Sequence, residues 1–197
     1  MKTFLAEIKT SILVTVVFAV LLCGVYPLAV WAGAQAFFPE KANGSLVTDK
    51  SGAVRGSLLL AQSFTSDKCF QPRPSAAGTG YDATSSGGTN FGPTSQKLND
   101  SIKAAVIAYR TANGLAADAP VPADAVTSSG SGLDPHISLA NAGLQAARVA
   151  KARGLPVSQV QALVAQIARD RDWGIFGEPV VNVLQLNLAL DRPAAAP

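Results

Sequence analysis

An α+β fold with one membrane-crossing helix at its N-terminus follows from three observations on this 197-residue chain. Residues 10–39 contain no charged side chain. Apolar residues recur at helical spacing over 94–113, 139–153 and 158–167. Short β-prone runs bounded by turn residues stand near 45–61 and 180–184. The expected partition is a short cytoplasmic N-terminus (1–9), a transmembrane anchor helix (10–38), a single small extracytoplasmic α+β domain (39–191) and a disordered Ala/Pro tail (192–197).

The anchor comes first. Ile12 to Ala34 is almost wholly apolar. About 20 helical residues cross a hydrocarbon core of ~30 Å, so this run is long enough. It also exceeds the apolar stretch of about 7–15 residues usual in a cleaved signal peptide, although Ala34-Gln35-Ala36 resembles a cleavage site. A lipoprotein signal centred on Cys23 would need a small residue where Leu22 stands, and the apolar run continues past it. A buried core helix would show a polar face, and none is present. Lys2 and Lys9 before the span nearly balance Lys41, Lys50 and Arg55 after it. The very short leading tail therefore sets the expected orientation, N-terminus inside and the bulk of the chain outside.

Composition narrows the function. The formal net charge is +3, and only Lys2, Lys9 and Glu7 precede Glu40, so the remainder carries 14 Lys/Arg against 12 Asp/Glu. No basic patch argues for nucleic acid. Two cysteines, Cys23 and Cys69, make neither a disulfide framework nor a cysteine-only metal site.

Beyond the anchor, Ser45–Thr48 and Ala53–Ala61 read as a hairpin around Asp49-Lys50-Ser51-Gly52. That tetrad differs by one residue from Asp-Lys-Thr-Gly, the phosphorylation signature of P-type ATPases. A chain of this length has no room for the domains such an aspartate needs, and Asp with Gly three residues on is a common turn composition. Residues 63–93 form a long irregular segment whose aromatics include Phe70, Tyr81 and Phe91. It is expected to lie against something, with Arg73 and Asn90 as its polar contacts. Ser95 or Thr94 caps the helix of residues 94–113, and Gly114 stops it. Residues 121–127 are expected to include a short strand. Asp134-Pro135 leads to a helix capped by Ser138 and ended by Gly154, and Ser158 with Gln161 suggests a capping box for the next. Arg148, Lys151, Arg153, Arg169 and Arg171 are expected on solvated faces or near helix C-termini. Asp172–Gly177 is an aromatic turn, and residues 178–191 a strand running into a short apolar element with Asn182 and Asn187 interrupting it.

The densest cluster of chemical groups is Asp124–Ser138, which holds His136, the one histidine. Glycines here can turn backbone N–H groups into an anion nest. Ser128, Ser129 or Ser131 with His136 and Asp124 or Asp134 supply the residue types of a nucleophilic triad. The same residues equally suit a tight connection whose side chains bond their own backbone. No Gly-x-Ser-x-Gly elbow, phosphate loop or dinucleotide fingerprint accompanies them. Asp134 and His136 alone fall short of a zinc ligand set.

Several stretches together carry a resemblance. They are Gly56-Ser57-x-Leu59-x-x-Gln62-x-Phe64, Phe70-x-x-Arg73-Pro74-Ser75-Ala76, Tyr81, Gly92-Pro93, Asp124–Ser138, then Ala142, Gln145, Arg148, Val149, Ala150, and finally Gly177-Glu178-x-x-Val181-Asn182-Val183-Leu184-x-Leu186-Asn187. Over nearly its whole length the chain resembles the C subunit of the bacterial Kdp potassium-transporting ATPase. The resemblance implies a non-catalytic, single-span subunit of an ATP-driven potassium importer in the inner membrane. ATP hydrolysis would belong to a separate P-type catalytic subunit and ion selection to a channel-like subunit, with a small single-span subunit and membrane lipid as further partners. No cofactor is implied for the chain itself, since the complex handles ATP and potassium. The family also implies a role in nucleotide binding with Gln145 as the contact, although a domain outside the membrane meets little ATP. Arg73, Asn90, Ser128, Ser129, Ser131, Asp134 and His136 then become a structural or subunit-facing loop, and Gly24, Ala29 and Gly33 a helix-packing face in the membrane. The alternative is a membrane-anchored extracytoplasmic serine hydrolase using Ser128 and His136.

Overall fold

The computed structural model describes residues 2–49 and 51–192; Lys50 of the expected turn and residues 193–197 of the expected tail lie outside them. The chain divides into two compact units, residues 1–46 and 47–197.

The first unit is dominated by continuous helix. α1 (Lys2–Val20) passes through one wide π turn (Leu21–Val25) into α2 (Tyr26–Phe37). Pro27 lies just past the wide turn and has no N–H for the Cys23 carbonyl, which is the usual cause of such a local widening. Residues Thr3–Phe37 have a mean hydropathy of 2.5 over their most apolar stretch, and none of that stretch is buried. By length and composition this helix suffices to cross a membrane. The helix itself already starts at Lys2, because Leu5, Ala6, Glu7 and Lys9 favour helix although they are not all apolar. After Phe37 the chain makes a single further turn, α3 (Pro39–Ala42). Paired amides of Gln35 and Asn43 hold that corner, at 3.2 and 3.3 Å, and Asn43 also donates to the Pro39 carbonyl.

β1 (Leu46–Thr48) and β2 (Val54–Ser57) form a two-stranded sheet. The Asp49 carboxylate accepts from the Ser51 and Ala53 N–H groups, the Ser51 hydroxyl and Arg55. It is thus the keystone of the turn. β2 is shorter than expected. It stops at Ser57, and Leu58–Leu60 turn instead of continuing the strand, with Leu59 exposed. At Gly56, φ is +153°, and the Gln62 amide folds into the space a Cβ would fill.

The second unit is built on α6 (Leu139–Arg153). α7 (Val157–Ile167) packs along it, α4 (Gln96–Asn113) crosses its other side, and α8 (Val183–Leu190) packs on α7. A small antiparallel sheet of β3 (His136–Ser138) and β4 (Val180–Asn182) pairs Ile137 with Val181 at its centre. The core is Phe70, Ile137, Ala142, Ala146, Val149, Val160, Val164, Val181, Val183 and Leu186 with their neighbours. The alanines at 142, 146 and 150 are fully buried, so α6 accepts its neighbours at close range.

Helix ends follow the sequence in most places. Ser95 and Ser138 accept from Leu98 N and Asn141 N as N-caps, and Gly114 and Gly154 stop α4 and α6 in the left-handed region. Two expectations fail. Residues 121–127 form a helical turn, α5 (Ala123–Val126), rather than a strand; Thr127 Oγ1 bonds back to the Ala123 carbonyl at 2.6 Å. The Ser158–Gln161 capping box does not form. Pro156 occupies the cap position with its fixed φ, so Ser158 lies inside the first turn.

Candidate functional site

The loop from Asp124 to Ser138 is closed on itself by its own carboxylates. Asp124 accepts from Ser138 N at 2.8 Å, Ser138 Oγ at 2.9 Å and Asn141 Nδ2 at 3.0 Å, so it completes the cap of α6. Asp134 accepts from His136 N at 3.0 Å, stands 3.3 Å from His136 Nδ1 and pairs with Arg73 Nη1 at 3.2 Å. Arg73 also donates to the carbonyls of Thr127 and Ser128. Burial tends to raise the Asp134 carboxyl, but the hydrogen bonds from His136 and the charges of His136 and Arg73 together hold it below the usual carboxylate range.

The serines are occupied in the same way. Ser128 Oγ donates to the Ser129 carbonyl, Ser131 Oγ accepts from Leu133 N, and Ser129 Oγ lies 3.4 Å from both Ser131 Oγ and Asp134 N. Among the described residues no serine hydroxyl bonds His136, the contact a nucleophilic triad requires. Asn90 is exposed at φ +54°, with no side-chain hydrogen bond among the described residues. Gly132, at φ +67°, is where the loop meets the 63–93 segment. A Cβ there would lie 2.6 Å from the Gly87 carbonyl oxygen and 2.7 Å from Ala77 N.

A second polar assembly lies deeper, on the inner face of α6. Asn141, Gln145 and Arg148 are spaced by four and three residues and so share one face. All three are buried. Gln145 Oε1 accepts from Gln71 N at 2.7 Å and Arg148 Nη2 at 2.8 Å, and its Nε2 donates to the Gln71 carbonyl at 3.0 Å and to Asn141 Oδ1 at 2.8 Å. Arg148 reaches on to the Asp67 and Cys69 carbonyls and to Asn113 Oδ1. Burial pulls its pKa down against the neighbouring groups. Asn187 of α8 repeats the motif, accepting from Phe70 N at 2.7 Å and donating to the Phe70 carbonyl at 2.9 Å. Two carboxamides thus pair with the backbone of residues 70 and 71 as a neighbouring strand would. Tyr109 closes the frame on Asn141 Oδ1 at 2.8 Å; burial first, then the Asp124 charge, raises its phenol. Among the described residues no buried side-chain polar atom lacks a partner.

Arg148 corrects the expectation of a solvated face. Its head group is the hub of the frame, held by Asn113, Gln145 and the Asp67 and Cys69 carbonyls. Asn141 belongs to the site without having been singled out, and Asp124, a candidate acid of the triad, is instead the acceptor that closes the cap of α6.

Gln145 is fully engaged within the fold. An amide has two donor and two acceptor positions, and all four are filled internally. The adjoining groove of about 500 Å³ is lined by residues including Phe64, Pro72, Tyr81, Tyr109 and Gln145.

The fold and site together define a class: a small α+β domain following a membrane-length helix, whose polar clusters are closed on themselves. A family model described as "K+-transporting ATPase, c chain" matches residues 8–192. The chain is 57% identical to the potassium-transporting ATPase KdpC subunit of Rhodospirillum rubrum over 87% of its length and 89% of that protein's. It is 50% identical to the KdpC subunit of Mycobacterium tuberculosis strain H37Rv over 94% of its length and 98% of that protein's. With the KdpC subunit of Koribacter versatilis, identity is 51% over 95% of each chain. The chain belongs to the KdpC family, and as a family member it is an accessory subunit of a potassium pump with partner subunits.

Proposed function

We propose that this chain is the non-catalytic subunit of an ATP-driven potassium importer and supports its assembly, stability and activity. The N-terminal helix crosses the inner membrane with its N-terminus in the cytoplasm, and the α+β domain lies outside. Its partners are the catalytic P-type subunit, the channel-like subunit and a small single-span subunit. Family membership carries this reading. The internal closure of both polar clusters supports the non-catalytic part, because neither leaves an aligned nucleophile and base for chemistry. A hydrolase would need a serine hydroxyl on His136. A nucleotide contact at Gln145 would have to break bonds to Gln71, Asn141 or Arg148, so Gln145 is assigned to holding the 63–93 segment on α6.

Co-purification tests the proposal. A tagged chain is expected to bring down the two large pump subunits from solubilised membranes, and its deletion to remove potassium-stimulated ATPase activity. Recovery of the chain alone, with that activity intact in the deletion strain, would sink the idea.

A further inference from the structure

Between α7 and β4 the chain leaves the core as a narrow prong. Its base is the Arg169–Val180 bridge, and its tip is closed by paired backbone bonds between Asp172 and Phe176. At that tip Trp173 is 90% exposed, Ile175 70% and Phe176 58%. The two rings are set edge to face, 5.9 Å between centroids. Trp173 has φ +55°, a conformation that a bulky side chain rarely adopts. Gly174 beside it is also in the left-handed region, so a glycine at 173 would make the same turn without strain. An indole is held out into solvent at the position where the backbone least favours it. Strain of this kind at an exposed site points to use.

The surroundings say what covers it. Arg169 pairs with Asp172 and Arg171 with Glu178, while Asp170 accepts from Arg171 N. Both guanidiniums of the prong are thus neutralised by its own carboxylates, and Asp170 leaves it with one net negative charge. With both guanidiniums paired, that rim offers an anionic lipid headgroup no free cation. Three side chains on a prong also cover too little area for two copies to pair tip to tip, since a stable interface buries about 800 Å² on each partner. A prong fits a socket. Tryptophan is enriched among residues that dominate such contacts, through the centre of a small desolvated pocket.

We propose that Trp173, Ile175 and Phe176 insert into an apolar pocket, with a polar or cationic rim, on another subunit of the same pump. This rests on the subunit reading above, which wild-type co-purification checks separately.

Two variants in the assembled complex test it. Trp173 replaced by p-benzoylphenylalanine is expected, on illumination, to cross-link to another pump subunit, identified by mass spectrometry. Trp173→Gly relieves the backbone strain, so the full chain should melt at the same temperature or higher. Its retention by the complex should nevertheless weaken about tenfold in a detergent-wash dissociation assay. A structural role alone would move these two readouts together. Photoadducts confined to lipid or to a second copy of this chain would overturn the proposal, as would wild-type retention of Trp173→Gly.

Discussion

Asp134 and Gly132 show what individual residues do in the Asp124–Ser138 loop. Asp134 ties His136 to Arg73 and has a lowered pKa, so its contribution to stability is complete above the unfolded carboxylate value of about 3.9 and is lost as pH falls through the folded value. Acid titration of folding stability should therefore be shallower in Asp134→Asn than in the wild-type chain below about pH 4; identical slopes would show that the carboxylate is idle. Gly132→Ala forces a Cβ into two backbone atoms at a positive φ, and we expect a loss on the order of 3 kcal/mol by denaturant unfolding. Gly130→Ala, in open space two residues away, should stay within about 0.5 kcal/mol. The loop's turn chemistry was legible in its glycines and serines. Of its partners, Arg73 was legible only through the family resemblance and Gly87 and Ala77 not at all, because they come from a segment some fifty residues earlier and neither spacing nor periodicity relates the two.

At the scale of elements, α6 and the irregular segment it holds depend on each other. The 63–93 stretch has no strand or helix of its own, yet Phe70 is fully buried and its backbone is paired by Asn187 and Gln145. Gln145→Leu keeps the volume but leaves Gln71 N and O, and a face of Arg148, without partners inside the fold. Each unpaired buried group costs about 1–3 kcal/mol, so a destabilisation of roughly 3 kcal/mol or more is expected. Near-native stability in thermal unfolding would remove the clamp from the account. The α6 cap is a smaller effect. Ser138→Ala loses the bond to Asn141 N and one bond to Asp124, for about 1–2 kcal/mol. Helices were readable here because capping and periodicity are local. Where they misled, at Ser158 and at residues 121–127, a neighbouring proline had already set the backbone.

The whole molecule joins a membrane-length helix to a domain that buries a network of polar side chains in its interior. The proposed orientation predicts that Ser158→Cys, exposed on α7, reacts in intact cells with a maleimide that cannot cross the membrane, in a Cys69→Ser background. Reaction only after cells are opened would place the domain inside. By itself the sequence determined the membrane-length apolar helix, the α+β class, most of the helix ends and the family, because length, hydropathy and local capping are properties of contiguous residues. Tertiary structure alone decided the fate of the polar residues. Arg148 and Gln145 on α6 look like any surface pair until the 63–93 segment folds over them and burial demands that every donor find an acceptor. Trp173 is the converse: the most hydrophobic kind of side chain, left outside by a turn that only the closed fold puts at the tip of a prong.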